Sequence, residues 1–189
     1  MIKKIIDACA SSADIAYRLS QVIPIYPITP SSPMAEYCSA LNSKGVKNIF
    51  GEDVKMVEMQ SEGGVSGTVH GALLSRAFST TFTSSQGLLL MLPNMLKMAG
   101  EGLPCVIHVS ARAVASSALS IFCDHSDVMM ARSTGFIMLA SSSVQESQHM
   151  ALASHTLAMK ACLPVLHFFD GFRTSHELQK INTFSDDEI

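Results

Sequence analysis

Apolar residues recur along this chain in two alternating rhythms, and the alternation runs its whole length. Ile5 to Val22 carries them at helical spacing, and Ile23 to Tyr26 is a short apolar run of the kind that forms a buried strand. The pairing then repeats. Pro33 to Ser43 reads as a helix and Lys47 to Phe50 as a second strand. Ser61 to Phe78, rich in Gly and Ala, reads as a helix, and Ser79 to Thr83, with its β-branched residues, as a third strand. A helix over Leu88 to Gly100, interrupted by Pro93, precedes a strand at Cys105 to Val109. Asp124 to Ser133 precedes a strand at Phe136 to Ala140, and Val144 to Ala161 precedes one at Val165 to Phe169. Strands separated each time by a helix, and apolar on both faces, predict right-handed crossovers. The expected fold class is therefore α/β: a doubly wound, mainly parallel six-stranded sheet with helices on both faces.

Sheets of this kind gather ligands beyond the carboxyl ends of their strands, and the conspicuous polar residues fall there. Thr29 follows the first strand, Glu62 opens the helix after the second, and Ser84, Ser85 and Gln86 follow the third. Arg112 follows the fourth, Ser141 to Ser143 the fifth, and Asp170 and Arg173 the sixth. The loop around Thr29 is framed by Pro27 and Pro30, which bias the backbone between them to extended conformations, and Ser31 or Ser32 is expected to cap the next helix with Pro33 in its first turn. Read alone it is either an ordinary strand-to-helix turn or a rigid loop that holds a ligand.

Composition narrows the picture. With 189 residues, 48% of them apolar and 15% charged, the chain can bury one substantial core. One domain over residues 1–181 is expected, with 182–189 as the start of a linker or a truncated end. A net charge of −3 without a Lys/Arg cluster offers no footprint for nucleic acid or an anionic membrane, and the longest apolar run, Gly87 to Pro93, is too short to span a bilayer. The five cysteines are scattered without a C-x-x-C pair, which suits reduced thiols in a cytoplasmic protein rather than zinc or cluster ligands. The seven histidines include no H-x-x-x-H or H-E-x-x-H spacing, so no metal site is expected from this chain. Glycine-rich phosphate loops, the dinucleotide fingerprint and the nucleophile elbow are absent as well.

Two charged residues stand out. Glu62 lies in Glu58-Met-Gln-Ser-Glu-Gly-Gly64, where paired glycines permit close approach of a flat ligand. A dehydrated carboxyl there would rise toward neutrality and share a proton with a ligand nitrogen; the alternative is simple electrostatic support of a helix N-terminus. Glu58, upstream of the glycines, is expected to cap or face solvent. Arg112, flanked by small residues, is available as a planar fork for a carboxylate, unless it pairs internally with Glu101 or Asp124. Asp124-His125 most simply caps a helix, its position near Arg112 leaving an indirect role there open, while His70, His149 and His155 fall within helices as packing or surface residues.

Five segments carry a resemblance: Tyr26-Pro-Ile-Thr-Pro-Ser-Ser32, Glu58-Met-Gln-Ser-Glu-Gly63, Phe82-Thr-Ser-Ser-Gln-Gly-Leu-Leu-Leu-Met91, Ala111-Arg-Ala113 and Phe168-Phe-Asp-Gly-Phe-Arg-Thr-Ser-His-Glu177. In this order they resemble the N-terminal, pyrimidine-binding domain of the pyruvate:ferredoxin (flavodoxin) oxidoreductases, over about Ile15 to Lys180. The resemblance implies a thiamine-diphosphate fold of the pyrimidine type, with Mg2+ and [4Fe-4S] clusters held only by other domains. It implies oxidative decarboxylation of pyruvate to acetyl-CoA and CO2, with coenzyme A as acyl acceptor and electrons passing to ferredoxin or flavodoxin. The complete enzyme would be a homodimer in the cytoplasm or a reducing anaerobic organelle, and this chain alone would be inactive. By the same resemblance Glu62 and Thr29 contact the cofactor, Thr29 and Arg112 hold the pyruvate carboxylate and carbonyl region, and these three residues form the catalytic set. Alternatives are a relative acting on another 2-oxo acid, and a non-catalytic paralogue serving as an interaction module. Two positions depart from the family pattern: Asp7-Ala-Cys-Ala-Ser-Ser12 replaces an acidic-Gly-Asn turn, and Cys123 replaces a glycine before the Asp-His pair.

Overall fold

Asp7 decides how the chain begins. Its carboxylate accepts the N–H of Ala10 at 2.7 Å as an N-cap, so helix α1 (Ala8–Arg18) starts there. Ile5 and Ile6, expected inside this helix, belong instead to strand β1 (Ile2–Ile6). The computed structural model describes residues 2–189; Met1, at the head of the expected domain, lies outside the described residues. Strand β1 pairs antiparallel with β8 (Gln179–Thr183), a strand that the apolar pattern did not announce. The expected domain boundary between 181 and 182 falls inside β8, and beyond it Phe184 and Ile189 pack against Ile15, Leu19 and Ala151.

The remaining strands are β2 (Val22–Ile25), β3 (Lys55–Glu58), β4 (Thr80–Thr83), β5 (Val106–Ala111), β6 (Ile137–Ser141) and β7 (Val165–Asp170). All six run parallel. β3 pairs with β2, and β4, β5, β7 and β6 form a continuous ladder in that order. The two parts join at β2 and β4 through a parallel bridge between Val22 and Ser79. Pro24 has no N–H to give there, and its carbonyl takes the Thr81 hydroxyl at 2.7 Å, so side chains complete what a ladder would otherwise do. The second strand was expected at Lys47–Phe50. That segment is a turn, because Asn48 accepts the N–H groups of Phe50 and Glu52 through its side-chain oxygen and donates to the carbonyl of Ser20.

Helices α2 (Ser32–Ser43) and α6 (Val144–Ala161) lie with α1 on one face; α3 (Glu62–Leu74), α4 (Ser85–Gly100) and α5 (Ser126–Ala131) lie on the other. α4 continues through Pro93 without ending. Strand β5 shows the layering residue by residue: Ile107, Val109 and Ala111 join the core beneath α3 and α4, whereas His108 and Ser110 face the α1 and α6 side. α2 and α4 leave the sheet on opposite faces from adjacent strands β2 and β4, so a crevice opens at their carboxyl ends.

Candidate functional site

The crevice is held together by hydroxyls. Ser31 occupies the N-cap position of α2 but makes no cap bond, contrary to expectation. Its Oγ instead donates to the Thr83 carbonyl, meets Ser84 Oγ at 2.7 Å and accepts the Ser110 N–H at 3.2 Å. Ser84 Oγ donates to the Ser110 carbonyl at 2.8 Å. The backbone at the ends of β4 and β5 carries carbonyl and N–H groups that the ladder does not use, and a short side chain reaching across them ties the loop after β2 to both strands. Gly171 closes the other side, since a Cβ there would lie 2.3 Å from the Ala111 carbonyl oxygen and 2.8 Å from Pro30 Cγ.

Thr29 and Arg112 meet directly. Arg112 Nη1 donates to the Thr29 carbonyl at 2.6 Å and Nη2 makes a long contact of 3.5 Å with Gln86 Oε1, while the buried Nε has no partner. The Thr29 side chain is exposed at the rim. Neither Glu101 nor Asp124 pairs with Arg112: Glu101 binds His70 and Lys97, and Asp124 accepts from Ser126. Burial pulls the guanidinium below the usual arginine value, opposed by the nearby Asp127 charge, yet a guanidinium stays protonated at physiological pH.

Glu62 is 6% exposed at the first turn of α3, behind the cap that Ser61 makes to the Gly64 N–H. Its carboxylate has no cation and no hydrogen-bond donor among the described residues. It lies over Gly87: a Cβ at that glycine would stand 2.7 Å from Glu62 Oε1, 2.9 Å from its Cγ and 2.6 Å from Thr83 Oγ1. Thr83 Oγ1 is itself buried and unpartnered. An unpaired carboxylate and an idle hydroxyl therefore converge where α4 offers no side chain. Glu58, by contrast, is exposed at the end of β3.

Gln86 and Gly87 link the two halves, one touching Arg112 and the other lying beneath Glu62. The structure thus brings Thr29, Arg112 and Ser84 to Gln86 together and sets Glu62, from the first turn of α3, against Gly87 in the first turn of α4. The other rim residues separate. Ser141, Ser142, Asp170, Arg173 and Thr174 line a different cavity of about 540 Å3 at the ends of β6 and β7. His125 lines that cavity too, with its ring against Phe168, rather than supporting Arg112. Gly87, Thr83 and Asp127 were not singled out from the sequence; the glycine directly after Ser84-Ser85-Gln86 was the available signal for the first.

The family model described as pyruvate flavodoxin/ferredoxin oxidoreductase, thiamine diphosphate-binding, matches residues 14–189. Pyruvate:ferredoxin oxidoreductase of Moorella thermoacetica is 57% identical over 100% of this chain and 16% of its own length. The probable pyruvate-flavodoxin oxidoreductase of Escherichia coli is 56% identical over 97% of this chain and 16% of its own length, and the pyruvate dehydrogenase [NADP(+)] of Cryptosporidium parvum 53% identical over 99% and 10%. The chain therefore spans a small fraction of these relatives. Among solved structures, 2-oxoglutarate:ferredoxin oxidoreductase from Magnetococcus marinus, with 2-oxoglutarate, coenzyme A and succinyl-CoA bound, superposes with a TM-score of 0.82 over 98% of this chain and 32% of that one at 23% identity, a likeness of fold.

Proposed function

Because the chain belongs to the pyruvate flavodoxin/ferredoxin oxidoreductase, thiamine-diphosphate-binding family, we propose that it supplies the aminopyrimidine-binding half of a thiamine-diphosphate site in a longer 2-oxoacid oxidoreductase. The observation that carries this reading is the unpaired, buried Glu62 carboxylate over Gly87, with the orphaned Thr83 hydroxyl alongside. A flat heteroaromatic ring suits such a carboxylate: Gly87 lets Glu62 settle against α4, and its unpaired oxygens can share a proton with a ring nitrogen. Glu62 would hold that proton. When bound, the cofactor supplies a nucleophilic carbon and an electron sink for decarboxylation.

Arg112 and Thr29 would hold the substrate. Of the five N–H groups of a guanidinium, two find acceptors in this chain, so the fork retains donors for a carboxylate. Thr29, an exposed residue fixed by its carbonyl to Arg112, would supply its hydroxyl to the same substrate. Pyruvate is the proposed substrate, with coenzyme A as acyl acceptor and ferredoxin or flavodoxin as electron acceptor. Mg2+, the diphosphate and the [4Fe-4S] clusters are assigned to other domains, and the complete enzyme to a homodimer. Five free thiols support a reducing compartment, the cytoplasm or an anaerobic organelle, and no described helix is long and apolar enough to cross a membrane.

The test is an enzyme in which these 189 residues replace the matching segment of the Moorella thermoacetica relative. Pyruvate- and coenzyme A-dependent reduction of ferredoxin is expected, lost on omitting thiamine diphosphate. An assembled hybrid that binds the cofactor but turns over only a different 2-oxo acid would shift the substrate, and one that binds no cofactor would overturn the reading.

A further inference from the structure

Asp127 is fully buried, and the catalytic set described above does not include it. Its Oδ2 accepts two backbone N–H groups at once, from Ser85 at 2.9 Å and from Arg112 at 2.9 Å, while Oδ1 accepts the Val128 N–H at 2.8 Å. One carboxylate therefore ties the first residue of α4 to the residue just past β5. Both partners sit where the backbone needs holding. Ser85 has φ +50°, in the left-handed region that is strained for any residue with a side chain. Its hydroxyl also donates to the Ala113 carbonyl at 2.8 Å, so the turn is fastened twice to the segment that carries Arg112. Gln86, the next residue, meets Arg112 through Oε1 and donates through Nε2 to the Ala115 carbonyl at 3.2 Å.

We propose that Asp127 is a positioning residue that locks Arg112 and the first turn of α4 into one unit, and so sets how tightly the carboxylate of the substrate is held. This inference rests on the assignment of Arg112 as the substrate's carboxylate fork. The chemistry needs a carboxylate at this place: three N–H donors converge on it, and an amide offers one acceptor oxygen and a donor that would face another donor. Asparagine turned with its oxygen toward Ser85 and Arg112 loses only the Val128 bond, whereas alanine loses all three, so that the strained turn at Ser85 relaxes and Gln86 leaves the guanidinium. Arg112 then keeps its charge but loses its fixed direction.

The experiment uses the hybrid enzyme, comparing Asp127→Ala, Asp127→Asn and Arg112→Ala. Asp127→Ala is expected to raise KM for pyruvate at least tenfold with kcat within threefold and thiamine diphosphate affinity within twofold. Asp127→Asn, whose one oxygen can keep the Ser85 and Arg112 bonds, should recover most of the KM. An unchanged KM in Asp127→Ala beside a raised KM in Arg112→Ala overturns this inference alone. An unchanged KM in Arg112→Ala removes the assignment beneath it as well. Parallel losses of kcat, KM and cofactor affinity, or failure of both Asp127 variants to fold, would make the residue a structural anchor and refute the positioning role.

Discussion

Mild acid should destabilise this domain, and the cause is a buried row of histidines beneath the sheet. His108 on β5 and His167 on β7 are register partners with Nδ1 atoms 2.9 Å apart; His108 Nε2 meets His155 Nε2 of α6 at 3.2 Å, and Ser141 Oγ meets His167 Nε2 at 3.0 Å. All three rings are fully buried. Burial pushes His155 and His167 down to about 3, with the charge of His167 adding to the effect on His155, and His108 moves the same way from burial and from both neighbours. In the unfolded chain each titrates near the ordinary 6.5. The unfolded state therefore binds the protons first, and the stability is complete above about pH 6.5 and lost as pH falls toward 3. Each neutral ring costs about 1.4 kcal/mol per pH unit in that window, so at pH 5 His155 and His167 together remove about 4 kcal/mol, with His108 adding to it. Domains of this size have roughly 5–15 kcal/mol in all. Urea unfolding followed by circular dichroism from pH 7.5 to 5.0 should show a fall corresponding to uptake of two to three protons, and one fewer in His155→Asn. A stability that is flat across this range, or a slope unchanged by His155→Asn, would refute the reasoning.

Replacing Gly87 by Ala should displace the Glu62 carboxylate, because the new methyl would meet Oε1 at 2.7 Å and Thr83 Oγ1 at 2.6 Å. A misplacement approaching 1 Å costs turnover up to about 100-fold, measured as kcat of the hybrid enzyme, with the fold checked by circular dichroism. Arg112→Ala should raise KM for pyruvate by more than tenfold while leaving cofactor affinity intact, read from initial rates against pyruvate concentration. Cys9, Cys38 and Cys105 are buried with thiols pushed up by desolvation, and Cys123 is pushed up to about 11 mainly by the same cause. A maleimide at pH 7 should label the exposed Cys162 first, as mass spectrometry of the digested chain would show; early labelling of Cys38 or Cys105 would contradict the packing.

The parallel sheet was legible because β4, β5 and β7 are continuous apolar or β-branched runs between helices, buried on both faces. Capping chemistry and edge strands were not. Ile5 and Ile6 fit a helical period as well as a strand, and only the Asp7 cap assigns them. Lys47–Phe50 looked extended, but Asn48 spends its side chain on local N–H groups and turns the chain. In β8, Ile181 and Thr183 are buried among exposed neighbours, too few apolar positions to register as a strand. At the site, Thr29, Glu62 and Arg112 stood out because charge or hydroxyl at a strand end is conspicuous. Gly87, Thr83 and Asp127 were hidden, since their importance lies in what they meet across the chain. Ser31 misled for the same reason: its position is that of a cap, yet Thr83, Ser84 and Ser110 claim its hydroxyl.

The most direct measurement of the central claim is the exchange of the thiazolium C2 proton of thiamine diphosphate in the hybrid enzyme, by quenched-flow NMR, with Glu62 and with Glu62→Gln. A positioned proton-transfer group contributes about 100- to 10,000-fold, so the Gln variant should exchange slower by at least the lower figure while binding the cofactor and keeping its fold. Exchange at the rate of the unsubstituted enzyme would show that Glu62 does not serve the pyrimidine ring.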